Sequence, residues 1–143
     1  MNRIILITTL LFSSIIWAQD STNVKIETPH IITKLSYGQT LNHGVVNIKF
    51  IEVLQDSRCP KNVNCVWAGE VVVLVDIFEN GNKSDQKKLT ISPTSHLQNL
   101  LGNLFTSEAL TISGFNVLPY PVSGIKTKVE DYYIQLDIRI PKE

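Results

Sequence analysis

Cys59 and Cys65 are the only cysteines of the chain, and they lie six positions apart with Pro60 just inside the interval. Thiols at this spacing can form a disulfide, ligate a metal or carry redox chemistry. The sequence predicts a disulfide, because cysteines of an exported protein meet an oxidising compartment. Closing so short a loop constrains the unfolded chain and would stabilise the fold by about 2.4 kcal/mol.

The metal and redox alternatives are less well supported by the residues around these cysteines. Structural zinc needs four ligands, commonly with C-x2-C pairs, and only His30, His43 and His96 could complete a set. A thioredoxin-like role would require C-x-x-C at a helix N-terminus. Copper would favour a second soft ligand, but the only methionine is Met1. The sequence therefore predicts no metal and no cofactor.

The side chains around the cysteines define a candidate contact loop. Asp56 and Arg58 carry opposite charges two positions apart and are predicted to pair with each other or to hold the loop backbone. Trp67 is interpreted as a core residue packed beside the disulfide, with an exposed stacking platform as the alternative. The candidate contact residues are Arg58, Pro60, Lys61, Asn62, Asn64 and Trp67.

Catalytic residues are not indicated by the sequence. Four carboxylates lie near the cysteines and could in principle provide an acid–base pair, but solvated strand faces are the favoured explanation for them: Glu52, Asp56, Glu70 and Asp76. The chain contains no G-x-S-x-G, H-E-x-x-H or phosphate-loop motif. The sequence predicts that the protein is not an enzyme, and a hydrolase is the weakest of the alternatives.

The first eighteen residues have the pattern of a secretory signal peptide. Arg3 is followed by an apolar run from Ile4 to Trp17, and Ala18 offers a cleavage site before Gln19. This run is shorter than the roughly 20 residues that span a bilayer. No cysteine follows it, so the sequence predicts no lipid anchor. Residues 19–143 are predicted to form one β-rich domain behind a flexible leader, exported to the periplasm or outside the cell.

The charge of the predicted mature chain excludes some classes of partner. The full chain has 13 Lys plus Arg and 13 Asp plus Glu. Removal of Arg3 leaves 12 against 13, a net charge of about −1, which gives no general attraction to nucleic acid or to acidic membranes. The sequence predicts no nucleic-acid partner and no stable membrane insertion after processing.

Apolar residues recur mainly at every second position, which is the period of a half-buried strand. The alternation is clearest over residues 132–140. It changes phase near Phe50–Ile51 and again across Gly114, which predicts a β-bulge at each place. A long strand is predicted over Val66–Glu79, and Asn80–Gly81 predicts a hairpin that returns into residues 87–92.

The remaining patterns are shorter. Strands are predicted over Val24–Glu27 and Ile31–Leu35, with turns at Tyr37–Gly38 and His43–Gly44. Leucines at helical spacing predict one short helix or an ordered crossover: Leu97, Leu100, Leu101 and Leu104. Pro141 is predicted to end the last strand. The fold prediction is an all-β antiparallel sandwich with this one short helix at most, and a small β-barrel is the alternative.

The cysteine stretch also supports a resemblance. Asp56-Ser57-Arg58-Cys59-Pro60, then Cys65, then Trp67-Ala68-Gly69 resembles a motif of small exported bacterial proteins of unknown function, many of them lipoproteins. Leu118-Pro119-Tyr120-Pro121 and the strand at Tyr133 are similar to the C-terminal half of those proteins. The resemblance spans residues 44–140 and implies a β-domain, but it transfers no catalytic residue. This chain departs from many of those proteins because it lacks a lipid-attachment cysteine.

These observations together predict an exported, non-catalytic binding or structural module. Its contact surface would be the Arg58–Asn64 loop, and its ligand an unknown protein or glycan. A rigid loop loses little conformational entropy on binding, which favours this role. The alternative is a protease inhibitor that presents Arg58 or Lys61 to a protease cleft.

Overall fold

The computed structural model describes residues 30–93 and 102–140, and these residues form eight strands. The strands are β1 (His30–Ser36), β2 (Thr40–His43), β3 (Val46–Asp56), β4 (Val71–Glu79), β5 (Asn82–Ile91), β6 (Gly102–Thr106), β7 (Thr111–Leu118) and β8 (Tyr133–Arg139). A single turn of 3-10 helix, Val129–Asp131, precedes β8. Across these same two ranges, no helix is long and apolar enough to cross a membrane.

The strands form two antiparallel four-stranded sheets that pack face to face. One sheet has the order β1-β8-β7-β6 and the other has the order β2-β3-β4-β5. No hydrogen-bonded strand pair joins the two sheets within the described ranges. The predicted antiparallel β-sandwich is therefore confirmed, and the small β-barrel is excluded.

The core lies between the two sheets and takes side chains from both. Because successive side chains of a strand point to opposite faces, one row of each strand enters this space. The largest fully buried side chains are Phe50, Leu35, Ile48, Ile77, Leu104, Ile112, Ile134 and Leu136. The alternation predicted for the last strand is confirmed over β8, except that Asp137 is buried although it was predicted to meet water. Its carboxylate accepts a hydrogen bond from Arg139 Nε at 2.7 Å and lies 3.2 Å from His30 Nδ1.

Both predicted bulges are confirmed. The register of β3 against β4 shifts between Phe50 and Glu52, and that of β7 against β8 shifts between Gly114 and Asn116. Gly114 has a further reason to be glycine, because a Cβ there would lie 2.3 Å from a methyl carbon of Leu89 in the facing sheet. The bulges thus keep apolar side chains on the core face of strands that bend.

The predicted turns are confirmed, and one strand prediction needs correction. Asn80 and Gly81 both have positive φ and link β4 to β5, while the other two turns join β1 to β2 and β2 to β3. The long strand predicted to begin at Val66 begins instead at Val71, because residues 66–70 belong to the cysteine loop.

Several predictions fall partly or wholly outside the described ranges. They are the strand at Val24–Glu27, the helical residues Leu97, Leu100 and Leu101, and the strand end at Pro141. The remaining member of the predicted helix, Leu104, lies in β6 with its side chain in the core.

Candidate functional site

The predicted disulfide is present and closes a loop at one end of the sandwich. Cys59 and Cys65 are joined with a Cα–Cα distance of 5.9 Å. The loop leaves β3 after Asp56 and returns to β4 at Val71. We call residues 57–70 the disulfide loop.

The two ends of the disulfide loop continue the pairing of β3 and β4 in an irregular form. Ser57 N donates to Glu70 O at 2.8 Å, and Cys59 N donates to Ala68 O at 3.0 Å. The Ser57 hydroxyl also donates to Glu70 O and accepts from Glu70 N. Gly69 lies between these pairs with φ +68°, and a Cβ there would lie 1.9 Å from Ser57 O. Only glycine allows the two chains to approach this closely.

Arg58 belongs to the disulfide loop, but its side chain is buried and only 3% exposed. Its guanidinium is held in a bidentate pair by Asp56: Nε donates to Oδ1 at 2.8 Å, and Nη2 donates to Oδ2 at 2.6 Å. The predicted pairing of these two side chains is therefore confirmed. A planar, two-bond contact of this kind is the strongest geometry that arginine and a carboxylate can adopt.

Arg58 also ties the disulfide loop to the opposite sheet. Its Nη1 donates to Val117 O near the end of β7, and its Nη2 donates to Pro119 O at 3.0 Å. The guanidinium carbon lies 4.8 Å from the centre of the Tyr120 ring, within the range of a cation–π contact. The disulfide loop is thus fixed at both its own sheet and the facing one.

Tyr132 completes this buried network from the start of β8. Its hydroxyl donates to Asp56 Oδ2 at 2.9 Å. Burial acts to raise the pKa of the Asp56 carboxyl group, but the hydrogen bonds and charge of Arg58, together with the Tyr132 hydroxyl, outweigh it and hold the pKa below the usual 3.8. Burial and the neighbouring Asp56 carboxylate raise the pKa of Tyr132 above its usual 10.0.

The stability contributed by Asp56 is expected to be lost in acid. Because its folded pKa lies below the unfolded value of about 3.9, the contribution is present above about pH 4 and disappears as pH falls through the folded pKa. We expect Asp56→Asn to be less stable than the wild type at neutral pH and the difference to shrink below about pH 4. Denaturant unfolding of the wild type and Asp56→Asn, from neutral pH to below about pH 4, measures this difference in the free energy of unfolding. A difference that stayed constant into strong acid would contradict the proposed charge state.

The exposed part of the disulfide loop carries apolar side chains. Trp67 is 81% exposed and Val66 is 88% exposed, while Val63 is 44% exposed. The interpretation of Trp67 as a core residue is therefore wrong, because the space between the sheets is already filled by strand side chains. The exposure that the alternative requires is observed, and the role of Trp67 as a stacking platform stays a prediction.

The other candidate contact residues divide by burial. Lys61, Asn62 and Asn64 are exposed and Pro60 is half-buried. Arg58 is corrected from a contact residue to a structural one, because its polar atoms are occupied by Asp56 and by carbonyls of the opposite sheet.

Trp67 borders two open grooves of the surface. A groove of about 650 Å³ is lined by Lys61, Asn62 and Tyr120 among others. A second groove of about 500 Å³ is lined by Arg58, Val66 and other loop residues. The exposed indole is therefore accessible to a partner that enters either groove.

The geometry of Lys61 does not suit presentation to a protease. A protease cleft binds an extended segment through free backbone groups, as in strand addition. Lys61 N already donates to Pro121 O at 2.9 Å, and Asn62 has a left-handed backbone with φ +67°. These features, with the burial of Arg58, speak against the inhibitor alternative.

Two of the four carboxylates considered for catalysis are engaged in separate contacts. Asp56 belongs to the Arg58 network, and Asp76 accepts from Gln86 Nε2 at 2.6 Å and pairs with Lys83 at 2.7 Å. Within residues 30–93 and 102–140, no group of three or more His, Cys, Asp or Glu side chains is placed to hold a metal ion.

Two features of this site were missed by the sequence reasoning. Tyr120 and Tyr132 support the network around Asp56 and Arg58 from positions about 60 and 75 residues away in sequence. Val66 was assigned to a strand. Gly69, three positions later, has a positive φ, and a glycine so close to Val66 was the signal for a loop.

The chain matches no protein-family model, no curated protein and no solved structure.

Proposed function

We propose that the protein is an exported, non-catalytic binding module that contacts its partner through the disulfide loop. The observation that carries the proposal is the contrast between Trp67 and Arg58. The loop backbone is fixed by a disulfide, a buried arginine network and irregular strand pairing, yet its largest apolar side chain faces solvent. Rigid loops that present an aromatic residue lose little entropy on binding, and tryptophan is the residue most enriched among binding anchors.

The predicted export fits the disulfide, because such bonds persist in oxidising compartments. The predicted signal peptide, which ends at Ala18, would deliver the domain there. The resemblance to exported bacterial β-domain proteins rests on the same loop residues and is part of this proposal. Protein and glycan ligands were both predicted from the sequence, and the indole of Trp67, which is 81% exposed, is accessible to either.

Site-specific photo-crosslinking tests the proposal in producing cells. The photoreactive residue p-benzoylphenylalanine is placed at Val66, which is 88% exposed, so that folding is not disturbed. The matched control places it at Val45, which is 65% exposed and precedes β3 at the opposite end of that strand. We expect discrete adducts from position 66 and none of the same adducts from position 45. Equal adducts at both positions, or no adduct to any protein, glycan or lipid at position 66, would contradict the proposal.

A further inference from the structure

A second loop extends the exposed apolar surface around Trp67. Residues 121–128 lie beside the disulfide loop, because Lys61 and Val122 form a parallel bridge and Lys61 N donates to Pro121 O. Ile125 N donates to Val122 O at 3.1 Å, and the Ile125 side chain is 67% exposed. We call Val63, Val66, Trp67 and Ile125 the apolar tip. Exposed aliphatic and aromatic side chains gathered on neighbouring loops mark a site of association.

The charges that flank the apolar tip are mostly positive. Between Asp56 and Glu70 the chain contains no carboxylate, and the Arg58 charge is paired with Asp56. Three exposed lysines flank the tip in sequence: Lys61, Lys126 and Lys128. Two exposed carboxylates follow in the 3-10 helix that leads to the buried Tyr132: Glu130 and Asp131. A partner that touches both loops would meet the lysines together with the apolar side chains.

The exposure of the apolar tip bears on which partners fit it. Trp67 is 81% exposed and Val66 is 88% exposed, so both side chains are accessible to a partner. The interface of a bilayer accepts such side chains without a preformed pocket, and tryptophan concentrates there because its ring is apolar and its N–H is polar. Lysines beside such residues are attracted to anionic headgroups.

We propose that the apolar tip docks the protein reversibly on an anionic lipid surface, with Trp67 and Val66 entering the headgroup region and the lysines contacting phosphate groups. This inference rests on the proposed function and names the partner of the same loop. It describes a domain that lies on the surface of a membrane and does not enter its hydrocarbon core. Surface docking of this kind combines buried apolar area with electrostatic attraction.

Fluorescence with lipid vesicles tests the inference directly. In the predicted mature protein, which begins at Gln19, Trp67 is the only tryptophan, so its emission reports on the tip alone. We expect a shift to shorter wavelength, with co-sedimentation, when vesicles of phosphatidylglycerol and phosphatidylcholine are added. Vesicles of phosphatidylcholine alone should bind more weakly, and added salt should weaken binding to the anionic vesicles.

Variants at exposed positions separate the tip from the rest of the surface. Trp67→Ala and Lys61→Glu should each reduce co-sedimentation with anionic vesicles, the first by about tenfold or more because the main inserting side chain is lost. Val45→Ser, at the opposite end of β3, should bind like the wild type. Unchanged unfolding curves for all three variants would show that folding is retained.

The outcomes distinguish the lipid from other partners. Absence of both the emission shift and co-sedimentation with anionic vesicles would overturn the lipid inference. If position 66 still crosslinked to one protein in cells, the binding-module proposal would stand with a protein as its partner. If neither vesicle binding nor crosslinks appeared, both proposals would fail. Equal loss of binding by Val45→Ser would also overturn the assignment to the apolar tip.

Discussion

Replacement of Arg58 by methionine is expected to lower the free energy of unfolding by about 3–5 kcal/mol, the range seen when one partner of a buried ion pair is removed. The side chain is 3% exposed and makes hydrogen bonds to Asp56 and to two carbonyls of the opposite sheet. Methionine fills part of the volume but leaves the Asp56 carboxylate without its cation and removes the hydrogen bonds that Arg58 donates to Val117 O and Pro119 O. The expected loss is a large share of the roughly 5–15 kcal/mol that holds a typical domain folded.

Lys61→Met is the matched control for Arg58→Met. It removes a positive charge from the same loop at an exposed position, so it should change stability by only about 0.5 kcal/mol. Denaturant unfolding of the two variants and the wild type gives the comparison. A loss below about 1 kcal/mol for Arg58→Met would contradict the buried network, because it would mean that Asp56 and the two carbonyls find other partners without cost.

Replacement of Gly69 by alanine is expected to cost about 2–5 kcal/mol from two sources. A left-handed backbone costs a residue with a Cβ about 1–2 kcal/mol. The added carbon would also lie 1.9 Å from Ser57 O, so the pairing of the loop ends must move apart. Overpacking of this kind adds about 1–3 kcal/mol and sometimes more. Thermal or denaturant unfolding measures the sum.

Gly124→Ala separates the two sources. Gly124 has a similar φ of +76°, but nothing lies within 4 Å of the Cβ that alanine would add. It should therefore lose only the backbone cost of about 1–2 kcal/mol. Equal losses at positions 69 and 124 would show that the close approach of Ser57 and Gly69 does not constrain the fold.

The sheets could be predicted from the sequence because their signals are local. The phase of the apolar alternation located the bulges near Phe50 and Gly114, and the Asn80–Gly81 pair located the hairpin. The disulfide followed from the spacing of two cysteines. Each of these inferences depended on residues near one another in the chain.

The errors at the disulfide loop arose from contacts that cross the molecule. Arg58 was expected at the surface, since charged side chains are rarely buried, but its acceptors Val117 and Pro119 lie about 60 residues away. Trp67 was expected inside because tryptophan beside a disulfide usually fills a core. Val66 was predicted to belong to the strand that follows it, because both are apolar. The sequence pattern did not reveal that Gly69, between them, has a left-handed backbone.

Most residues of the motif between Asp56 and Gly69 make structural contacts. Asp56 and Arg58 form the buried ion pair, Ser57 and Gly69 allow the two ends of the loop to approach closely, and the cysteines close the loop. The Trp67 side chain is 81% exposed and lies outside the core. It is the largest apolar side chain of the motif that faces solvent, and we therefore assign binding to it.

The emission spectrum of Trp67 in the free mature protein tests this central claim most directly. We expect the spectrum of a solvent-exposed indole. Its emission should be quenched readily by acrylamide, and its wavelength should change little when the protein is unfolded in guanidinium. Emission at shorter wavelength that moved to longer wavelength on unfolding would contradict the account. It would place Trp67 in the core and remove the exposed anchor on which both proposals depend.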